Sequence, residues 1–123
     1  VRPSVITGHS VGEVAAACVA GILDLPEAAR IIVVRARAMQ NCGRHVGAML
    51  AVGLDEQEAS DLIARHDTGA SIAAFNGPRS LTIAGLRTSL EKMAAELEAA
   101  GVFNRFVRVQ HPFHHALMEP AAR

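Results

Sequence analysis

The sequence has no tryptophan, no tyrosine and only four phenylalanines among its 123 residues. Its 12 basic and 12 acidic side chains cancel to a net charge of zero. Nucleic-acid surfaces need basic stripes or aromatic stacking platforms, so no nucleic-acid partner is expected. No apolar run reaches the roughly 18 residues of a membrane-spanning helix, and there is neither a signal peptide nor a block of like charge. The two cysteines, Cys18 and Cys42, are too few for a disulfide framework and lack metal-ligand spacing. Cys18 lies among alanines and reads as a small buried hydrophobe, and Cys42 precedes Gly43 near a helix end. A reducing cytoplasm is the expected compartment, with no metal, no bound cofactor and no membrane.

Half of the residues are hydrophobic, so a real core is within reach, and the length suits one domain or a piece of one. The most informative stretch comes first. Pro3 to Thr7 reads as a buried strand, Gly8-His9-Ser10-Val11-Gly12 as a sharp turn, and Val11 to Leu23 as a helix. This is the pattern of a nucleophile elbow, where only glycine fits two residues before and after an exposed serine. The helix N-terminus would aim backbone N–H groups at a developing oxyanion. Gly-x-Ser-x-Gly alone is a weak signal, with roughly 0.04 chance matches in a chain of this length. The bland alternative is a glycine-bounded turn with a passive serine.

Asp24 is the expected N-cap of a second helix with Pro26 in its first turn, running through Ile31, Ile32, Val34, Arg35, Ala38 and Met39 to Gly43. Arg35 falls one turn from both Ile31 and Met39, on the apolar face, while Arg37 faces solvent. A guanidinium on a buried face needs an anion. That anion is either a protein carboxylate in a structural ion pair or a substrate carboxylate in a bidentate clamp. From Gly47 the pattern changes. Strands are expected at 48–52, 71–75, 80–84 and 103–109, with a turn at Asn76-Gly77-Pro78-Arg79. The helices between them open on capping boxes at Asp55/Glu58 and Thr88/Glu91, and Gly101 ends the second. The first carries Ala59, Leu62 and Ile63 on one face; the second carries Leu90, Met93, Ala94 and Leu97. Residues 47–109 thus read β-α-β-β-α-β, a ferredoxin-like pattern. RNA-binding modules share it, but here the strands offer only Phe75, Phe103 and Phe106. The tail from Gln110 to Arg123 holds His111, His114 and His115, candidates for a general base unless they are incidental to a polar loop. His45 and His66, near helix ends, are expected to be exposed.

Together these elements resemble the acyltransferase domain of polyketide synthases, the malonyl-CoA:acyl-carrier-protein transacylase family. The likeness rests on Val1-Arg2-Pro3 before Gly8-His9-Ser10-Val11-Gly12-Glu13, on Val33-Val34-Arg35-Ala36-Arg37-Ala38-Met39-Gln40, and on Gly47-Ala48-Met49-Leu50-Ala51-Val52. It extends through Ala73-Ala74-Phe75-Asn76-Gly77-Pro78 and Phe113-His114-His115-Ala116-Leu117-Met118. It implies an α/β fold: part of an α/β-hydrolase-like core at 1–46, an inserted ferredoxin-like subdomain at 47–109, and a return to the core at 110–123. It implies Ser10 as nucleophile, His114 as base, Arg35 holding the free carboxylate of a malonyl-type unit, and the Val11 N–H as half of an oxyanion hole. His9 would lie beside the substrate. The acyl group would pass from coenzyme A through a serine ester to the phosphopantetheine thiol of an acyl carrier protein, in polyketide or fatty acid biosynthesis, with a ketosynthase as a neighbour in the same polypeptide. His111-Pro112-Phe113-His114 resembles the family's malonyl-selective His-Ala-Phe-His segment, with Phe113 crowding an α-methyl group and His111 part of the specificity loop. Pro112 for alanine and His115 for serine depart from the pattern, and His115 rivals His114 as base.

The chain begins at Val1, and the elbow strand comes too early for a sheet to flank it, so a fragment of a larger enzyme is expected. By the resemblance, the family's second oxyanion donor, a glutamine near the domain's N-terminus, and the backbone that orients the histidine are expected to lie outside these 123 residues. The isolated chain is therefore expected to be inactive. Two other readings stand beside this one: a serine hydrolase of the esterase class, which has no use for Arg35, and a non-catalytic interaction module, which would have no reactive serine. Asp55, Asp61 and Asp67 lie in the small-subdomain segment, so none is an obvious acid partner for a hydrolase triad.

Overall fold

The structure, a computed structural model, describes residues 3–40, 42, 46–66 and 69–122, the last by its backbone alone. The expectations at Val1, Arg2, Gly43, His45 and Asp67 lie outside the described residues. Two units divide the chain, Val1–Gln40 and Asn41–Arg123.

In the first unit, α1 (Gly12–Val19) stops short of the expected Leu23. Gly21, at φ 75°, turns the chain out of the helix. Its N–H bonds the Cys18 carbonyl and the Ile22 N–H bonds the Ala17 carbonyl, at 3.1 and 3.0 Å, a paired closure of the last turn. The second helix, α2 (Leu25–Met39), starts where expected. Asp24 Oδ1 accepts the Glu27 N–H at 2.7 Å and the Glu27 carboxylate accepts the Asp24 N–H at 2.9 Å, a reciprocal cap that fills two orphan donors. Two expectations fail here. No strand forms over 3–7, because a strand exists only through its ladder and none of the described residues pairs with that segment. Cys18 is half-buried, not buried.

The second unit is built on a four-stranded sheet. Its elements run β1 (Gly47–Val52), α3 (Glu56–His66), β2 (Ser71–Gly77), β3 (Ser80–Leu86), α4 (Arg87–Ala99) and β4 (Asn104–Phe106), followed by a 3₁₀ helix at Ala116–Ala122. The strand order is β2-β3-β1-β4, and every pairing is antiparallel. The central pair is set by hydrophobic pattern: Leu50 opposes Ile83 and Val52 opposes Leu81, all at most 2% exposed. These residues share a face with Ala48, and α3 and α4 close that face with Ala59, Leu62, Leu90, Met93 and Leu97. Each fully buried leucine contributes about 2–3 kcal/mol.

Local chemistry explains where the elements differ from expectation. The Asp55/Glu58 box forms as read, with both bonds at 2.9 Å. The Thr88/Glu91 box does not: α4 begins at Arg87, straight out of β3, and the Arg87 N–H is satisfied by the Val46 carbonyl at 2.9 Å. Asn76 and Gly77 stay in β2, where the Asn76 amide bonds Thr82 Oγ1, and the hairpin turns on Pro78 and Arg79 alone. Proline presets φ at the first position of such a turn, so no positive φ is needed. The last strand ends at Phe106 rather than Val109, because the Val109 N–H folds back onto the Val107 carbonyl. His66 is half-buried rather than exposed, bonding Glu96 at 2.8 Å beside an Arg65–Glu96 ion pair at 2.7 Å. The Arg65 guanidinium, followed by His66, holds the Glu96 carboxyl below its usual range.

Candidate functional site

Two non-glycine residues among those described have a positive φ: Ser10, at 54°, and His114, at 59°. An L side chain in this conformation is strained by about 1–3 kcal/mol, and such strain gathers at functional sites.

Around Ser10 the turn is tight on one side only. A Cβ on Gly8 would overlap the Gly12 carbonyl and the Glu13 amide nitrogen, so glycine is required there. A Cβ on Gly12 meets nothing within 4 Å. The expected glycine requirement two residues after the serine therefore does not hold, since Gly12 is already the open first residue of α1. The amides of Gly12, Glu13 and Val14 bond the carbonyls of His9, Ser10 and Val11 at 3.0 to 3.2 Å. Among the described residues the Val11 amide takes no backbone carbonyl. Ser10 is half-buried, and His9 and Val11 are exposed.

Arg35 is half-buried, against the expectation of a buried face, while Arg37 is exposed as read. The reason is that the apolar side of α2 is itself open: Ile31, Ile32, Val33 and Val34 are all exposed, and only Ala28 of the helix is buried. Between α1 and α2 lies an apolar groove of about 660 Å³, lined by residues including Val14, Cys18, Ala28, Ile32 and Val33.

In the second unit, the segment after β4 rests on the sheet. The Pro112 ring is fully buried against Gly47, where any Cβ would overlap it, on the sheet face that also carries Met49 and Ala84. This proline–glycine contact was not legible as a pair, since neither residue type signals the other. The buried ring fixes the segment on both sides. His111 Nδ1 lies 2.8 Å from the Cys42 carbonyl, so Nδ1 carries the proton, and the His111 and Phe113 rings meet at 5.7 Å. His114 is exposed. His115 bonds the Gly69 carbonyl through Nε2 at 2.9 Å and accepts the Leu117 N–H on Nδ1 at 3.2 Å. Of the sequence-read residues, His9, Ser10, Val11 and Arg35 thus belong to the first unit, and His111, Phe113 and His114 to the second. Among the described residues, no group of side chains could hold a metal ion and no helix is long and apolar enough to cross a membrane. Phe75 and Phe106 lie on opposite edge strands, and the Arg87 guanidinium lies 5.4 Å from the Phe106 ring.

The family model for the acyl transferase domain matches residues 1–123. Polyketide synthase GfsB of Streptomyces halstedii is 43% identical over 97% of this chain and 2% of its own length. The acyltransferase domain from the second module of the salinomycin polyketide synthase is 43% identical, with a TM-score of 0.83 over 98% of this chain and 28% of its own. That of SpnD, solved in complex with 2-(pent-4-yn-1-yl)malonyl, is 32% identical with the same TM-score and the same coverage. The chain therefore spans a few per cent of its curated relatives and under a third of these two solved domains. Its fold is α/β with a small antiparallel sheet, and it belongs to the acyl transferase domain family.

Proposed function

We propose that this chain carries the acyl-loading centre of an enzyme that moves a malonyl-type unit from coenzyme A to the phosphopantetheine thiol of an acyl carrier protein. The observation that carries this reading is the strain at Ser10 and His114, the two residues that the chemistry needs as nucleophile and base. Ser10 Oγ attacks the thioester carbonyl as His114 takes its proton. The tetrahedral oxyanion is held by the Val11 N–H, which no backbone carbonyl among the described residues occupies. Collapse expels the coenzyme A thiolate, which takes the proton back from His114, and leaves a malonyl ester on Ser10. The carrier-protein thiol then gives its proton to His114 and attacks the ester. Collapse expels the Ser10 oxygen, which takes that proton back from His114, and yields the new thioester.

Arg35 holds the free carboxylate of the acyl unit, and His9 lies beside it. The malonyl derivative named for SpnD supports a carboxylated acyl group. Phe113 and His111 would select malonyl over methylmalonyl by crowding an α-methyl group. In this reading 1–46 belongs to an α/β-hydrolase-like core and 110–123 leads back to it. Between them, 47–109 forms a ferredoxin-like subdomain, as its β-α-β-β-α-β order and β2-β3-β1-β4 sheet suggest. The work would be done in the cytoplasm, beside a ketosynthase, in polyketide or fatty acid assembly, with no resident cofactor.

The test follows the acyl group. Malonyl-CoA and carrier protein are given to the full-length protein that contains this chain, and to the 123-residue chain alone. The full-length protein should place malonate on the carrier thiol and the chain alone should not. Release only as free malonate would instead mean a hydrolase, and transfer by the short chain would refute its dependence on the rest of the domain.

A further inference from the structure

The imidazole of His115 is committed at both nitrogens. A backbone N–H can only donate and a carbonyl can only accept. The Leu117 N–H on Nδ1 and the Gly69 carbonyl at Nε2 are therefore satisfied together by one form, the neutral ring with its proton on Nε2. The His115 carbonyl also accepts the Met118 N–H at 2.8 Å. The bonds to Leu117 and Met118 close the first turn of the 3₁₀ helix Ala116–Ala122, so His115 does with an imidazole what serine or asparagine does at a helix N-cap. The bond to Gly69 adds something a serine is too short to supply. It ties this turn to the loop before β2, 46 positions away in sequence.

His114 immediately precedes this cap and holds a strained φ of 59°. Strain of that kind persists only where the surroundings over-determine the backbone. On one side the Pro112 ring is clamped against Gly47; on the other, His115 is fixed by three hydrogen bonds. We propose that His115 is a positioning residue, whose cap and tether hold His114 in the conformation its proton transfers require. It is not itself a base, because neither nitrogen has a lone pair to spare. This inference rests on the function proposed above for His114.

The test uses the full-length protein and three variants. His115→Leu removes both ring bonds, His115→Asn keeps an acceptor at the Nδ1 position, and His115→Gln keeps a donor near the Nε2 position. Single-turnover loading by malonyl-CoA should fall about tenfold or more in His115→Leu, as expected for two lost hydrogen bonds. Its KM should stay near the wild-type value and its melting temperature should change little. The Asn and Gln variants should each load faster than Leu. If His115→Leu fails to fold, Asn and Gln should still load more slowly than wild type at unchanged KM. Equal loss in all three variants would instead make His115 a base, and wild-type loading in Leu would remove the positioning role; either result overturns the proposal. Nitrogen-15 spectra of the His115 ring give a readout independent of activity. A protonated Nε2 and bare Nδ1 are expected, and a mixture of tautomers would overturn the proposal. A wild type that malonyl-CoA does not load would count against the proposed function, while the ring spectrum still decides the anchoring.

Discussion

At the scale of single residues, the strained backbone falls on Ser10 and His114, and the neighbours of each account for how it is held. Gly8 leaves room for the turn before Ser10, and Pro112 and His115 bracket His114. In the proposed function, Arg35 is the residue that would separate a malonyl carrier from an esterase. A charge-assisted contact to a substrate carboxylate is worth more than a neutral one, so Arg35→Ala should cut kcat/KM for malonyl-CoA by about 10- to 100-fold. Acetyl-CoA lacks that carboxylate and should lose no more than about threefold in the same assay. Equal losses for the two substrates would make Arg35 a structural residue. Ser10, Arg35 and His114 stand out in the sequence through their types, spacing and flanking elements, and the structure adds a positive φ at Ser10 and His114. The role of His115 is not legible in the sequence, because its partners Gly69 and Leu117 are backbone groups that carry no sequence signal.

At the scale of elements, the sequence is most readable where local physics decides. The Asp55/Glu58 box, the β1 and β3 runs and the Leu90, Met93, Leu97 stripe all follow from spacing within one element. Helix α4 starts ahead of the cap that Thr88 and Glu91 suggest, because a tertiary bond, Arg87 N–H to the Val46 carbonyl, replaces it. Helices α3 and α4 are clasped by Arg65, His66 and Glu96. Both partners favour the ionised carboxylate, so the folded pKa of Glu96 lies below its unfolded value. Its stabilising effect is present above the unfolded value, about 4.3, and is lost as pH falls through the folded one. Urea unfolding of the acyltransferase domain, followed from about pH 6 to about pH 3, should show a steeper acid loss in wild type than in Glu96→Gln. Parallel profiles would mean the clasp carries no pH-dependent stability. The pair is exposed at the surface, so the difference should be small and should shrink in salt.

At the scale of the whole molecule, the two units differ in how they bury their apolar residues. The sheet unit has a closed core around Leu50, Ile83, Leu90 and Met93. The unit holding Ser10 leaves Ile31 to Val34 exposed and an apolar groove between its helices. Exposed apolar area of this kind marks a surface meant to be covered. The missing strand at 3–7 has the same cause, since pairing and burial depend on neighbours that periodicity within a segment cannot supply. In the proposed function Ser10 carries the acyl group. The most direct test of that role is peptide mass mapping of the full-length protein after brief exposure to malonyl-CoA, with and without carrier protein. One malonyl group is expected on the peptide containing Ser10, absent in Ser10→Ala and discharged when carrier protein is added. Malonyl transfer that persists undiminished in Ser10→Ala would contradict that role.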